Sequence, residues 1–232
     1  MNKTDIILKA VSLYPSVLQW ANPLVRGYIT EACKTYDYFL TVLTRLVRSV
    51  YAGLLGGEFI DILANLVQGQ ITQAYEQAWV DDGNFLPIPE EMQAAANELI
   101  LKQYDYVDQY YRDIVDARID GTPIEPLLAR AELWANQYNT AYNDAKVKIT
   151  LNYGGKLKWV EGDTQDKCET CLALDGIVAY ATVWDSLGVH PQAAPNEHLT
   201  CGGWRCQCQL IPTDERQSRD AEARILKAVG HG

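Results

Sequence analysis

Between residues 36 and 50 the side chains Tyr36, Phe39, Leu40, Leu43, Leu46, Val47 and Val50 recur every three or four positions, the repeat that gathers them on one helix face. The same period returns at Ile60, Leu63, Ala64, Val67, Ile71, Ala74, Tyr75 and Ala78, and it stops at the turn formers Asp81, Asp82, Gly83 and Asn84. Gly56 and Gly57 separate the two helices. Pro89 with Glu90 and Glu91 predicts a third start, because proline fits a first helical turn and carboxylates suit the positive end of the helix dipole. Its apolar face is Met92, Ala95, Leu99, Tyr106, Val107, Tyr110 and Ile114, and Asp120 with Gly121 ends it. Thr122, Pro123 and Glu125 combine a cap, a first-turn proline and a capping-box acid for a fourth helix, lined by Leu127, Ala131, Trp134, Tyr138, Ala141, Tyr142 and Ala145. Long helices joined by short turns predict antiparallel packing, with the third and fourth as one hairpin. The rings on these faces are explained by core or partner packing, with no cofactor box among them.

After residue 150 the pattern changes. Gly154 and Gly155 break the helix, and short apolar segments punctuated by Gly and Pro follow. Residues 156–160 and 176–180 read as short strands around a turn, and 213–229 as a terminal helix capped by Thr213. The predicted organisation is a helical body over 1–150, a Cys/His-rich module over 151–212, and a C-terminal helix and tail over 213–232. The fold class expected is mainly α: an N-terminal helical bundle or long helical hairpins with a small C-terminal α+β, Cys-rich, zinc-knuckle-like module.

Composition narrows the class. With 232 residues, 48% apolar and 22% charged, the chain is neither disordered nor a disulfide-dense miniprotein. Its 14 Tyr and 6 Trp against 3 Phe favour amphipathic rings, which suit large, partly wet contact surfaces. The net charge is −10, split as −7 over residues 1–150 and −3 over 151–232, so neither part offers the cationic platform that non-specific DNA binding needs. Lys3, Asp5 and Lys9 interrupt any signal-peptide core, which predicts a chain made in the cytoplasm. The uncharged stretch 10–25 holds Pro15 and Pro23, and Arg45, Arg48, Glu58 and Asp61 break the next apolar run, so no transmembrane helix is expected.

Five of the six cysteines fall between residues 168 and 208. Cys168 and Cys171 form a CxxC knuckle, which brings two thiolates to one ion from a tight turn. His198 and Cys201 follow at HxxC spacing, then Cys206 and Cys208 at CxC spacing, so a second pair can close a tetrahedral site. Structural zinc fits this set, and can contribute about 10–16 kcal/mol to folding a loop-rich segment with little apolar periodicity. Six candidates exceed the four that zinc takes, so the quartet stays open, and disulfides remain an alternative in an oxidising particle. A thioredoxin-type pair would need a βαβ setting that the pattern lacks. Cys33 reads as a buried small apolar residue, and His190 and His231 as incidental.

No GxSxG, HExxH, P-loop or GxGxxG motif is present, and Glu197 beside His198 reads as a solvated loop residue, so no enzyme is expected. Two alternatives carry different chemistry. One is a metal-dependent nuclease or other hydrolase whose zinc ribbon supports an active site. The other is a zinc-ribbon nucleic-acid adaptor, which would gather Lys156, Lys158, Lys167 and Arg205 on one face.

The succession Trp159-Val-Glu-Gly-Asp163, Cys168-x-x-Cys171 and Leu174-Asp175-Gly176 resembles the phage Mu F-like head morphogenesis family. That family closes with HPxCRC and a short apolar stretch. Here the matching elements are His198-Leu-Thr-Cys201, then Arg205-Cys206-Gln-Cys208 and Leu210-Ile-Pro212, in the same order with wider spacing. The resemblance covers about a quarter of the chain. It implies metal ligation by Cys168 and Cys171 with His198 and Cys201 or Cys206 and Cys208, and packing or turn roles for Trp159, Asp163 and Gly176. It further implies a minor capsid protein of a virion, at low but multiple copy beside the portal or major capsid protein, acting in head morphogenesis or genome delivery and meeting packaged DNA only by proximity.

Overall fold

The computed structural model describes residues 36–162, 168–193, 196–203 and 206–230. The readings placed on stretch 10–25, Cys33, Asp163, Lys167, Arg205 and His231 therefore lie outside the described residues. The chain is mainly helical with a small sheet, as the hydrophobic pattern predicts: α1 (Tyr36–Tyr51), α2 (Glu58–Asp81), α3 (Glu90–Asp120), α4 (Glu125–Asn152), β1 (Lys156–Val160), α5 (Glu169–Leu174), β2 (Val178–Tyr180), α6 (Ala181–Ser186), β3 (Gln209–Thr213) and α7 (Ala221–Ala228). None of the described helices is long and apolar enough to cross a membrane.

The described residues separate into two compact units, one within 36–73 and 97–137 and the other within 74–96 and 138–230. In the first, α1 buries Phe39, Leu43, Val47 and Val50, and α2 buries Phe59, Leu63, Leu66 and Val67. Phe59 meets Tyr110 edge-on with ring centroids 6.0 Å apart, and Tyr110 stacks on Trp134 at 6.1 Å. The Tyr110 hydroxyl donates to the Leu127 carbonyl at 2.6 Å, and the Gln70 side-chain amide to the Ala135 carbonyl at 2.9 Å. These two buried donors are thus tied to backbone acceptors, which offsets much of the cost of burying them, while Gln70 Oε1 is left without a partner.

The second unit holds the three-stranded sheet, ordered β2-β1-β3 with both pairs antiparallel. Trp159 faces Leu210 and Val160 faces Gln209 across the β1–β3 pair. One continuous core joins Leu157, Trp159, Leu174, Ile177, Trp184, Val189, Leu199, Leu210 and Ile225 with Val147 of α4. Trp159 and Trp184 lie at its centre, ring centroids 5.7 Å apart, and the Trp184 indole donates to the Leu157 carbonyl at 3.2 Å.

Several sequence expectations need correction. The α3 face buries Ala96 and Ile100 instead of Ala95 and Leu99, and Tyr106 is exposed. The first intrahelical acceptor of α4 is the Ile124 carbonyl, so Thr122 and Pro123 precede the helix. No helix begins at Thr213, because that residue pairs with Lys156 at the end of β3; its hydroxyl accepts the Glu215 N–H at 3.1 Å, and the terminal helix is only Ala221–Ala228.

Candidate metal centre

The cysteines enter the second unit's core from two directions. Cys168 immediately precedes α5 in extended backbone, and its carbonyl accepts the Leu172 N–H at 3.0 Å. The helical turn that follows carries Cys171 to the same side as Cys168, as positions three apart require. The Leu174-Asp175-Gly176 turn fastens this knuckle to β1. Gly176, at φ +72, donates its N–H to the Trp159 carbonyl at 3.0 Å, and Asp175 Oδ1 accepts the Glu161 N–H at 2.9 Å. A side chain with a Cβ would be strained at that φ.

Cys206 and Cys208 arrive by extended chain running into β3. The two-residue period puts them on the inner face with Leu210, and all three are buried. Their approach requires glycine opposite: a Cβ on Gly162 would stand 2.4 Å from Gln207 Cβ and 2.6 Å from its carbonyl carbon. Cys201 sits in a loop organised by Asn196, whose amide nitrogen donates to the His190 carbonyl at 3.1 Å and whose Oδ1 accepts the His198 N–H at 3.0 Å. The Thr170 hydroxyl lies 2.6 Å from that of Thr200, tying the same loop to α5.

Five sulfurs result in two overlapping groups, Cys168 with Cys171 and Cys201, and Cys171 with Cys206 and Cys208, each with its sulfurs within 4.8 Å of one another. Cys171 belongs to both. Its sulfur is 4.0 Å from that of Cys206, close to the ~3.8 Å edge of a tetrahedron with metal–sulfur bonds of about 2.3 Å. The cluster can hold a metal ion.

Electrostatics of the thiols point the same way. The Cys171 thiol donates toward Cys206 and Cys208 and is held well above the ordinary thiol range by these bonds and by burial. Donation from Cys171 and Cys206, helped by the Gly162 backbone N–H, draws Cys208 down to about 3 against the opposing effect of burial. Cys206 accepts from Cys171, but its own donation to Cys208 and its burial push it up to about 12. Burial opposes ionisation of Cys168 too, yet backbone N–H groups of Cys171 and Cys201 bring it to about 7. Burial raises Cys201. Negative charge thus concentrates on Cys208, and the crowded thiols cannot all ionise together unless a cation neutralises them.

Of the six residues proposed from sequence, the five cysteines converge and His198 belongs to neither sulfur group. A Cβ on Gly188 would lie 3.5 Å from the His198 ring nitrogen Nε2, which places the imidazole against that turn. Glu197 is exposed. Lys156 donates to the Glu215 and Asp214 carbonyls, and Lys158 pairs with the Glu215 carboxylate at 2.7 Å.

The residues sequence reasoning missed are the supports. Gln192 is buried in left-handed backbone at φ 61; its carbonyl accepts the Thr140 hydroxyl at 2.7 Å, and its amide nitrogen donates to the Cys208 carbonyl at 2.9 Å. This chain of bonds pins the CxC segment to α4. Comparison with protein-family models, curated proteins and solved structures found no match.

Proposed function

We propose that this chain is a structural minor head protein of a tailed bacteriophage, bound at or near the portal vertex, whose cysteine cluster is closed by one zinc ion. The observation that carries the reading is spatial. Trp159, Cys171, Asp175 and Gly176, which bear the family resemblance in sequence, are joined through the Gly176–Trp159 and Asp175–Glu161 hydrogen bonds around one set of sulfurs. Thiolates are soft ligands and select zinc over calcium or magnesium. Cys171, Cys206 and Cys208, which form one group, supply three corners, and the fourth comes from the other group, Cys168 or Cys201. A quartet of thiolates leaves no coordination position for water, so the ion fastens the fold and supplies no nucleophile. The protein then acts by contact, with portal or major capsid protein as partner and an acidic surface that keeps packaged DNA at a distance.

Metal analysis and mass spectrometry of purified particles of a phage encoding this chain test both parts. One zinc per chain, reduced cysteines and a copy number far below that of the major capsid protein are expected. Absence of the chain from particles sinks the head assignment, and disulfides or a lack of zinc sink the zinc assignment. In the isolated protein, Cys171→Ser should lose zinc, and of Cys168→Ser and Cys201→Ser one should lose it and the other keep it.

A further inference from the structure

Trp159 is fully buried, and its Nε1–H is the one buried side-chain donor among the described residues without a conventional hydrogen-bond partner. An orphaned donor in a core costs about 1–3 kcal/mol unless something nearby accepts it. The β1–β3 register shows what that is. Trp159 stands opposite Leu210, and Cys208 lies two residues before Leu210 on the same inner face, a diagonal neighbour within reach of a large ring. Trp184 differs: its indole N–H is satisfied by the Leu157 carbonyl.

We propose that the Trp159 indole donates an N–H···S hydrogen bond to Cys208 and is a positioning residue of the metal centre, fixing that sulfur and drawing charge from it when an ion is bound. This rests on the metal reading above. A hydrogen bond to a metal-bound thiolate stabilises the sulfur lone pair, so it moves sulfur-to-metal charge transfer to higher energy and orients the ligand. The side chain of a strand residue thereby sets metal affinity without touching the ion.

The test is titration of the full chain with Co2+ under reducing conditions, comparing wild type, Trp159→Phe and Trp184→Phe. Wild type should give the visible and charge-transfer bands of a tetrahedral thiolate site. Trp159→Phe should shift the charge-transfer band to longer wavelength and weaken Co2+ binding about tenfold. Trp184→Phe, which perturbs the same core but spares the sulfur, should leave the band unmoved. If wild type shows no thiolate bands, the metal reading fails and this inference with it. If wild type shows them and Trp159→Phe changes neither band nor affinity, the inference alone fails. A measurement on the unaltered chain covers the case in which Trp159→Phe does not fold. With NMR-active cadmium bound, the Trp159 indole proton should show scalar coupling to the metal; absence of that coupling overturns the proposal.

Discussion

Gly162 and His190 show how single residues govern this protein for opposite reasons, one by lacking a side chain and the other by burying one. Because a Cβ on Gly162 would drive into the Gln207 backbone, Gly162→Ala must displace the CxC segment and not merely a flexible tip. Zinc affinity should fall at least about tenfold and stability by about 1–3 kcal/mol, as chelator competition and urea unfolding would reveal. His190 is held below its ordinary pKa, chiefly by burial and also by Lys148, against the attraction of Asp144 and Asp185. Its neutral form is therefore favoured by folding. That contribution is complete above the unfolded value of about 6.5 and is lost as pH falls through the lower folded value. Between about pH 7.5 and 5.5 the wild type should lose more stability than His190→Gln, both saturated with zinc; equal losses would refute the assignment.

At the scale of elements, α6 and the α2–α3 turn make the contrast. Trp184 of α6 is fully buried against Trp159, so Trp184→Ala should cost about 3–5 kcal/mol in chemical unfolding. Phe85 in the turn is 91% exposed, and Phe85→Ser should change stability by less than about 0.5 kcal/mol despite removing a larger ring than most core positions hold. Amphipathic period made the four long helices legible, and their ends fell close to the turn formers. Phase within a run of alanines was not: Ala95 and Ala96 offer the same chemistry, and only the packed partner decides which is buried. The short helices α5 and α6 were missed because six residues carry too little of a helical period to register. Cysteine spacing singled out the sulfurs that converge, since sulfur chemistry is written in residue type. Trp159 was legible as a packing residue, but the parts of Gly162 and Gln192 stayed hidden because they exist only once the CxC segment packs against β1 and the backbone at Gln192 has turned left-handed.

For the molecule as a whole, each unit has its own buried core, and among the described residues only one contains clustered cysteines. Removing metal with a chelator should therefore abolish the near-ultraviolet signal of the packed Trp159 and Trp184 while most of the far-ultraviolet helical signal persists. Simultaneous loss of both would show that the ion holds the entire chain together. The sequence pattern predicts a seam near residue 150, where Gly154 and Gly155 interrupt the helix. The unit containing the cysteines nevertheless begins at Tyr138 within α4 and also includes residues 74–96.

That placement of α4 bears on how the protein can be divided. Thr140, Asn143, Lys146, Val147, Ile149 and Thr150 are all buried, so this stretch is enclosed on more than one side. A truncation at the inviting Gly154-Gly155 turn would discard Val147 and the Thr140 anchor of Gln192, leaving the thiol-bearing fragment with a missing wall. The smallest excisable piece is consequently discontinuous in sequence, and a graft of this module onto another scaffold must carry the end of one helix and the tip of a neighbouring hairpin along with its cysteines.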